Sequence, residues 1–157
     1  MELLVTSKGS GKYIVTDSKE REIYTITKAR KLFGSPITTL HDASGYALYT
    51  MKRISAGKKP EYEIQLNDRF FMKVLCKSMF IDPSIQFETV ESIYELKGKD
   101  QKHFILYKNE TEIGTLDTAK LVNNDLVYKL VFGDQYFDDF FPLFAVAADK
   151  CFGEMNK

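Results

Sequence analysis

The sequence predicts a mainly β fold, a closed barrel of about twelve antiparallel strands around a central, C-terminal hydrophobic α-helix. Apolar and polar residues alternate over most of the 157 residues, in stretches bounded by Gly, Asn, Asp, Ser and Pro. This period of two is typical of strands with one buried face. The alternation ends near the C-terminus, where a nearly continuous apolar segment begins at Phe140. Alternating strands followed by one fully apolar helix favour a barrel closed around that helix.

Twelve strands are predicted, and polar turns separate most of them. Segments such as 42–45 and 123–125 contain Asp, Asn, Ser and Gly, which tolerate tight-turn dihedral angles or bond their own backbone. Sequential hairpins without helical segments between them favour a sandwich or a barrel over an α/β sheet. In chain order the predicted strands cover residues 2–6, 12–16, 22–27, 36–41, 46–53, 62–66, 70–77, 85–88, 92–96, 103–107, 112–116 and 126–132.

A helix is predicted over residues 140–152. Asp138 and Asp139 precede it and are suited to cap its N-terminus. Pro142 falls in the first turn, where its missing N–H costs no hydrogen bond. Gly153 is the predicted C-terminal cap.

The predicted helix has no polar face, because only Asp149 and Lys150 interrupt its apolar residues. A helix that is apolar on all sides lies in a protein core or in a membrane. About 13 residues span roughly 20 Å, whereas bilayer hydrocarbon is about 30 Å thick. The helix is therefore predicted to occupy the barrel core, and no transmembrane segment is expected.

Length and composition predict a single domain over residues 1–157, because a chain of about 150 residues buries enough surface to need no disulfide. The sequence begins without a basic leader or an apolar run of signal-peptide length, so a cytoplasmic location is expected. Cys76 and Cys151 match no metal or redox spacing and are predicted to be buried free thiols.

The net charge is zero, but its distribution along the chain is uneven. Residues 1–78 contain 14 Lys and Arg against 8 Asp and Glu, and residues 79–157 contain 8 against 14. This asymmetry is compatible with an anionic partner for the basic half. The alternative, which the charges alone favour, is that the two halves neutralise each other across the fold.

Catalytic and metal-binding motifs are not found, and we predict no enzyme activity, no metal and no cofactor. The two histidines, His41 and His103, lie in no metal-ligand or nucleophile motif. The segment 9–12 is similar to the end of a phosphate-binding loop, but Tyr13 replaces the required Ser or Thr and a strand is predicted to follow. No nucleic-acid partner is expected either, because the chain is neutral and contains no recognition motif.

Three features together are similar to one known group of proteins. They are the number of strands, the apolar helix at 140–152, and the segment 58–64 that leads into Asn67, Asp68, Arg69 and the strand at 70–77. On these features nearly the whole chain resembles the tubby C-terminal-like superfamily, in particular its LURP-one-related branch, with the phospholipid scramblases as more distant relatives. The resemblance implies a twelve-stranded barrel threaded by a hydrophobic helix, in agreement with the residue pattern.

The resemblance also implies a binding site. Tubby domains bind phosphoinositide headgroups through basic residues at the end of one strand and in the loop after it, and alignment on Tyr62 places residues 47–59 on that stretch. The alternative is a solvated hairpin whose lysines block pairing of an edge strand. A second basic run, 28–31, carries the same alternative. The basic residues of the first stretch are Lys52, Arg53, Lys58 and Lys59, and those of the second are Lys28, Arg30 and Lys31.

These observations predict a non-enzymatic binding module that attaches peripherally to anionic phospholipid or phosphoinositide-like headgroups through Lys52, Arg53, Lys58 and Lys59. The predicted location is cytoplasmic, with peripheral attachment to a membrane. The alternative is a protein-interaction or regulatory scaffold without a small ligand. A lipocalin-like carrier with a hollow barrel is disfavoured, because the core helix is expected to fill the lumen. Any binding site is therefore expected on the outer surface.

Overall fold

In the part of the chain that the structure describes, twelve strands form one closed antiparallel barrel. A computed structural model describes residues 1–30, 34–55 and 57–157. The strands are β1 (Glu2–Ser7), β2 (Tyr13–Thr16), β3 (Glu22–Ala29), β4 (Ile37–Asp42), β5 (Ala47–Arg53), β6 (Glu61–Leu66), β7 (Arg69–Ser78), β8 (Ser84–Glu88), β9 (Ile93–Gly98), β10 (His103–Lys108), β11 (Thr111–Lys120) and β12 (Leu126–Phe132). Each strand pairs with the next along the chain, and β12 pairs with β1 to close the barrel. The predicted fold is confirmed.

All twelve predicted strands are present, and several of them, β3 and β11 among them, continue further than predicted. β3 extends to Ala29 and β11 extends to Lys120, past the residues that alternate clearly. Both extensions are paired, since Ala29 lies opposite Ile37 and Lys120 lies opposite Leu126. In a closed barrel each strand has two neighbours, so cross-strand pairing continues where the hydrophobic pattern has already ended.

Alternate residues of each strand point into the barrel, which is why the sequence pattern predicts the strands. In β1 the side chains of Leu3 and Val5 are fully buried, whereas the residues beside them are partly exposed. Ile64 in β6 and Met72 in β7 are also fully buried. The inward-facing residues of all twelve strands meet in one hydrophobic core.

Helix α1 (Pro142–Phe152) lies inside the barrel, and nine of its 11 residues are buried. The two that are partly exposed are Asp149 and Lys150, the polar residues of the segment. This confirms the prediction of a core helix. Among the described residues, no helix has both the length and the apolar character needed to cross a membrane.

The start of α1 differs from the prediction. It begins at Pro142 rather than Phe140, and the prediction that Asp138 and Asp139 cap it is wrong, because no side chain bonds its N-terminus. The first amides instead donate to backbone carbonyls of the preceding turn at 2.9 and 3.0 Å. A carboxylate cap is therefore not needed, and Asp139 accepts a hydrogen bond from the Tyr24 hydroxyl of β3 at 2.7 Å.

The end of α1 is where the sequence predicts it, but Gly153 serves a different purpose there. Its φ of −56° is right-handed, and the chain continues into a 3₁₀ turn over Gly153–Asn156. A Cβ at position 153 would lie 2.4 Å from Oδ1 of Asp149. Glycine is therefore required for close packing against this carboxylate and not for a left-handed cap.

The lumen is filled by aromatic side chains of α1 that pack against the barrel wall. The Phe144 ring lies 4.5 Å from Phe87 in β8 and 5.3 Å from Tyr94 in β9, measured between centroids. The Phe152 ring stacks on Phe104 in β10 at 5.4 Å. Because α1 occupies the lumen, the structure gives no support to a lipocalin-like carrier.

Two tyrosines of the wall hold the C-terminal part of α1. The hydroxyls of Tyr13 in β2 and Tyr128 in β12 donate to the two carboxylate oxygens of Asp149, each at 2.5 Å. Burial, together with the negative charge of Asp149, raises the pKa of both phenols well above the ordinary value. The tyrosines therefore stay protonated and remain donors throughout the physiological pH range.

Replacing Tyr13 with Phe should lower the free energy of unfolding by about 1.5–3 kcal/mol, the usual loss for a hydrogen bond to a charged group. The substitution keeps the ring and removes only the hydroxyl that donates to Asp149. Urea denaturation measures the effect. Tyr46, which is 65% exposed, is the matched control, and Tyr46→Phe should change the free energy by less than about 0.5 kcal/mol. Equal effects of the two substitutions would contradict the role assigned to Asp149.

The two cysteines are buried free thiols, as predicted. The barrel brings them together, with Cys76 at the end of β7 beside Cys151 of α1. The neighbouring thiol and burial raise the pKa of Cys151, so its thiol stays protonated. Their adjacency was not visible in the sequence, because it depends on where α1 crosses β7.

Candidate functional site

The barrel has two ends that receive different parts of the chain. Because neighbouring strands are antiparallel, successive turns alternate between the ends. One end carries the turns after β1, β3, β5, β7, β9 and β11, together with the residues that follow α1. The other carries the start of the chain before β1, the turns after β2, β4, β6, β8 and β10, and the segment between β12 and α1.

The end at which α1 finishes is strongly basic, and we call it the basic end. Its turns, with the two strand residues on either side of each, contain 14 Lys and Arg and 5 Asp and Glu among the described residues, a net charge of +9. The anions are Glu61, Asp82, Asp100, Asp125 and Glu154. The cations are Lys8, Lys12, Lys28, Arg30, Lys52, Arg53, Lys58, Lys59, Lys77, Lys97, Lys99, Lys102, Lys120 and Lys157.

The opposite end, the acidic end, has the opposite charge. Counted in the same way over the described residues, it contains 13 Asp and Glu and 4 Lys and Arg, a net charge of −9. The cations are Lys19, Arg21, Arg69 and Lys108. The anions are Glu2, Asp17, Glu20, Glu22, Asp42, Asp68, Glu88, Glu91, Glu110, Glu112, Asp134, Asp138 and Asp139.

The charge is therefore separated along the barrel axis more strongly than along the sequence. Lys99, Lys102 and Lys120 belong to the acidic half of the chain, yet they lie at the basic end. A neutral protein with this arrangement presents a positive surface at one end and a negative surface at the other. Single ion pairs, such as that of Lys8 with Asp125, do join the two halves of the chain, but most of the charge is sorted between the two ends of the barrel.

All four predicted site residues belong to the basic end, and three of them lie together at the end of β5 and on the loop after it. Arg53 ends β5, and its guanidinium donates to the carbonyls of Ser55 (3.0 Å) and Gly57 (2.8 Å). These bonds fold the following loop back on the strand. Lys58 and Lys59 are exposed on that loop.

Lys52 and Lys59 reach towards different neighbours. The Lys59 ammonium donates to the carbonyl of Lys77 in β7 at 3.1 Å, which ties the loop to the next turn at the basic end. Lys52 follows the buried Met51 and points to the outer wall, where its ammonium lies 3.8 Å from a carboxylate oxygen of Glu63. Lys52 therefore lies on the side of the barrel, further from its basic end than Arg53 and the loop that carries Lys58 and Lys59.

The second basic run also belongs to the basic end as far as the structure describes it. Lys28 lies in β3 and Arg30 directly follows that strand, whereas Lys31 lies outside the described residues. The Lys28 side chain passes over Gly11 so closely that a Cβ there would lie 2.6 Å from it. Lys28 thereby connects the turn after β3 to the turn after β1.

Exposed apolar side chains accompany the positive charge at the basic end. Phe80 and Ile81, in the turn after β7, are 74% and 82% exposed. Leu121 and Val122, in the turn after β11, are 44% and 106% exposed. Sequence reasoning missed all four residues. They could have been found in the sequence, because each pair is apolar and interrupts a turn segment that is otherwise rich in Asp, Asn and Ser.

The acidic residues near the two histidines, Asp42 and Asp100, each accept hydrogen bonds that hold a turn. The Asp42 carboxylate accepts from the amides of Ser44 and Tyr46 at 2.9 Å each, so it closes the turn after β4. His103 Nδ1 lies 3.0 Å from Asp100, and this hydrogen bond holds the pKa of Asp100 at about 2. No cluster of three or more His, Cys, Asp or Glu suited to a metal ion occurs in the part of the chain that the structure describes.

Comparison with protein families assigns the chain to one of them. The family described as LURP-one-related matches residues 1–146, a span that includes all twelve strands and the beginning of α1. No curated protein and no solved structure matches the chain.

Proposed function

The chain belongs to the LURP-one-related family, and we propose that it is a non-enzymatic module that binds anionic phospholipid or phosphoinositide-like headgroups at its basic end. The residues proposed to carry the binding are Lys52, Arg53, Lys58 and Lys59. Attachment is peripheral, at the cytoplasmic surface of a membrane. No catalytic step and no cofactor form part of this proposal.

The separation of charge along the barrel axis is the observation that carries the proposal. A net charge of +9 at one end of a neutral protein attracts an anionic surface, and the net charge of −9 at the other end orients the barrel as it approaches. Each Lys or Arg close to an anionic membrane contributes about 1 kcal/mol to binding. Four such residues contribute roughly 4 kcal/mol, which gives reversible attachment.

The four residues have different roles in this proposal. Arg53 shapes the loop through its two bonds to backbone carbonyls, and the bond from Lys59 to Lys77 holds the loop against the next turn. Lys58 is exposed at the tip and meets the headgroups directly. Lys52 lies on the outer wall beside Glu63, so it contacts headgroups at the edge of the docked surface.

Sedimentation with vesicles tests the proposal. At about 0.05 M salt the protein should sediment with vesicles of phosphatidylcholine containing phosphatidylserine, and it should stay in solution with phosphatidylcholine alone. Raising the salt to about 0.5 M should release most of it, because the screening length falls well below 10 Å. Equal sedimentation with both kinds of vesicle, or with neither, would reject binding through the basic end.

A second candidate function, a protein-interaction scaffold, is favoured by one feature of the acidic end. A depression of about 410 Å³ is lined by residues that include Phe70, Val90 and Asp138. Phe70 and Val90 are exposed, and apolar side chains within an acidic surface are complementary to a basic protein partner. The double variant with Phe70→Ser and Val90→Ser should lose any partner captured from lysate through this end. Unchanged capture by the double variant would exclude the depression as the interface.

A further inference from the structure

We propose that the barrel docks end-on onto an anionic bilayer and that Phe80, Ile81, Leu121 and Val122 enter the interfacial layer of the lipid. This inference rests on the proposed function, because it requires the basic end to face the membrane. It goes further in naming an apolar contact with the lipid and the four side chains that make it. Headgroup binding by the cations alone requires no such contact.

The turn after β7 holds its apolar side chains outward. The Gln101 amide donates to the carbonyls of Met79 (3.1 Å) and Phe80 (3.4 Å), and the Ser78 hydroxyl donates to the carbonyl of Ile81. These bonds engage the backbone of the turn and leave the two large side chains in solvent. The apolar tip is therefore ordered before it meets a partner, which reduces the entropy lost on binding.

The turn after β11 is braced in a similar way. The amide of Leu121 donates to the carbonyl of Asp125 at 2.8 Å, and the amide of Asn124 donates to the carbonyl of Leu121 at 2.9 Å. The Asp125 amide donates to the Asn123 side chain at 3.0 Å. Val122 lies at the tip of this turn, where its side chain is fully exposed.

Positive charge lies on both sides of each apolar tip. Lys77 precedes the first tip in β7, and its carbonyl accepts the bond from Lys59. Lys120 precedes the second tip in β11, and Lys8 of the neighbouring turn lies 3.8 Å from Asp125. Apolar side chains that project among lysines and arginines are typical of surfaces that bind the membrane interface.

The distribution of the tips indicates a flat partner. The hairpin of β9 and β10 lies between the two apolar turns in the barrel order, and its turn contributes Lys99 and Lys102. A flat bilayer can contact both apolar tips and the lysines between them at the same time, and it offers the apolar side chains an environment out of water, which a soluble anion does not. The charge of the end selects an anionic bilayer over a neutral one.

The sequence provides a direct test, because it contains no Trp. In the variant Phe80→Trp the only tryptophan lies at the basic end, and in Phe70→Trp it lies at the acidic end on a side chain that is 54% exposed. Vesicles of phosphatidylcholine and phosphatidylserine should shift the emission of Phe80→Trp to shorter wavelength, and lipids brominated on their acyl chains should quench it. The emission of Phe70→Trp should stay unchanged.

The outcomes separate this inference from the proposed function. Sedimentation of Phe80→Trp with the vesicles without a spectral shift would overturn insertion and leave headgroup binding standing. A shift in Phe70→Trp alone would overturn the orientation. Absence of sedimentation by the unsubstituted protein would overturn both proposals.

A double variant, Phe80→Ser with Ile81→Ser, measures the apolar contribution to binding. It should weaken vesicle affinity about tenfold or more, because two large apolar side chains no longer leave water. Its affinity for soluble inositol hexakisphosphate should equal that of the unsubstituted protein, since the cations are retained. Unchanged vesicle affinity would contradict the apolar contact.

Discussion

Replacing Lys52, Arg53, Lys58 and Lys59 together with Gln is expected to weaken binding to anionic vesicles by about a thousandfold, which corresponds to roughly 4 kcal/mol. At about 0.15 M salt this loss should abolish sedimentation. The thermal unfolding curve should change little, because Lys58 and Lys59 are exposed and the ion pair of Lys52 with Glu63 is a surface contact. The two bonds of Arg53 hold only the exposed loop after β5, so their loss should leave the barrel itself folded. Titration with vesicles and thermal denaturation measure the two effects.

A matched variant separates the position of the charge from its amount. Replacing Lys19, Arg69, Lys108 and Lys129 with Gln removes the same number of positive charges, but these residues lie at the acidic end or on the barrel wall away from Lys52. Because charges separated by more than about 10 Å are largely screened, this variant should bind vesicles within about threefold of the unsubstituted protein. A similar loss in both variants would show that net charge, and not the basic end, governs binding.

Replacing Phe144 with Ala is expected to lower the free energy of unfolding by about 3–5 kcal/mol, the range observed for truncation of a buried aromatic side chain. Phe144 is fully buried in α1, and its ring contacts Phe87 and Tyr94 of the wall. For a chain of this length the loss corresponds to a fall in Tm of roughly 6–20 °C. Urea and thermal denaturation measure it.

Phe70→Ala is the control for the core substitution, because Phe70 is 54% exposed at the acidic end. Its truncation should change the free energy of unfolding by less than about 1 kcal/mol. If Phe144→Ala were as stable as Phe70→Ala, α1 would not be the packed centre of the barrel.

The strands and the core helix could be predicted because each follows from a local pattern. Alternation in segments such as Leu3 to Val5 requires one buried and one exposed face, and the segment that forms α1 has almost no side chain suited to water. Both patterns are readable without knowing any tertiary contact. The full lengths of β3 and β11 could not be read in this way, because their last residues are held by pairing across the barrel.

The start of α1 was mispredicted for a similar reason. Asp138 and Asp139 have the right chemistry and spacing for a cap, but Asp139 accepts a bond from Tyr24, which lies more than a hundred residues earlier in the chain. Local propensity favours a cap wherever a carboxylate precedes a helix. The hydrogen bond from Tyr24 holds the Asp139 carboxylate away from the helix amides. The residues around Asp139 in the sequence give no indication of this bond.

The candidate site could be predicted only in part. The basic residues at 52–59 stand close together in the sequence, so their grouping is visible. Lys99, Lys102 and Lys120 are far from them in sequence and join them only because alternate turns reach the same end of the barrel. Once every strand is known, the alternation of the turns is enough to predict that these lysines share one end of the barrel. The hydrogen bond from Lys59 to the carbonyl of Lys77 could be found only in the structure.

Amide hydrogen exchange of the unsubstituted protein, with and without vesicles of phosphatidylcholine and phosphatidylserine, tests the role of the basic end most directly. Docking through the basic end should slow exchange at the turns 8–12, 57–60, 79–83, 99–102 and 121–125, all of which lie at that end. Exchange at the turns 17–21, 43–46, 67–68 and 89–92 of the acidic end should be unchanged. Slower exchange confined to the acidic-end turns, while the protein sediments with the vesicles, would contradict docking through the basic end.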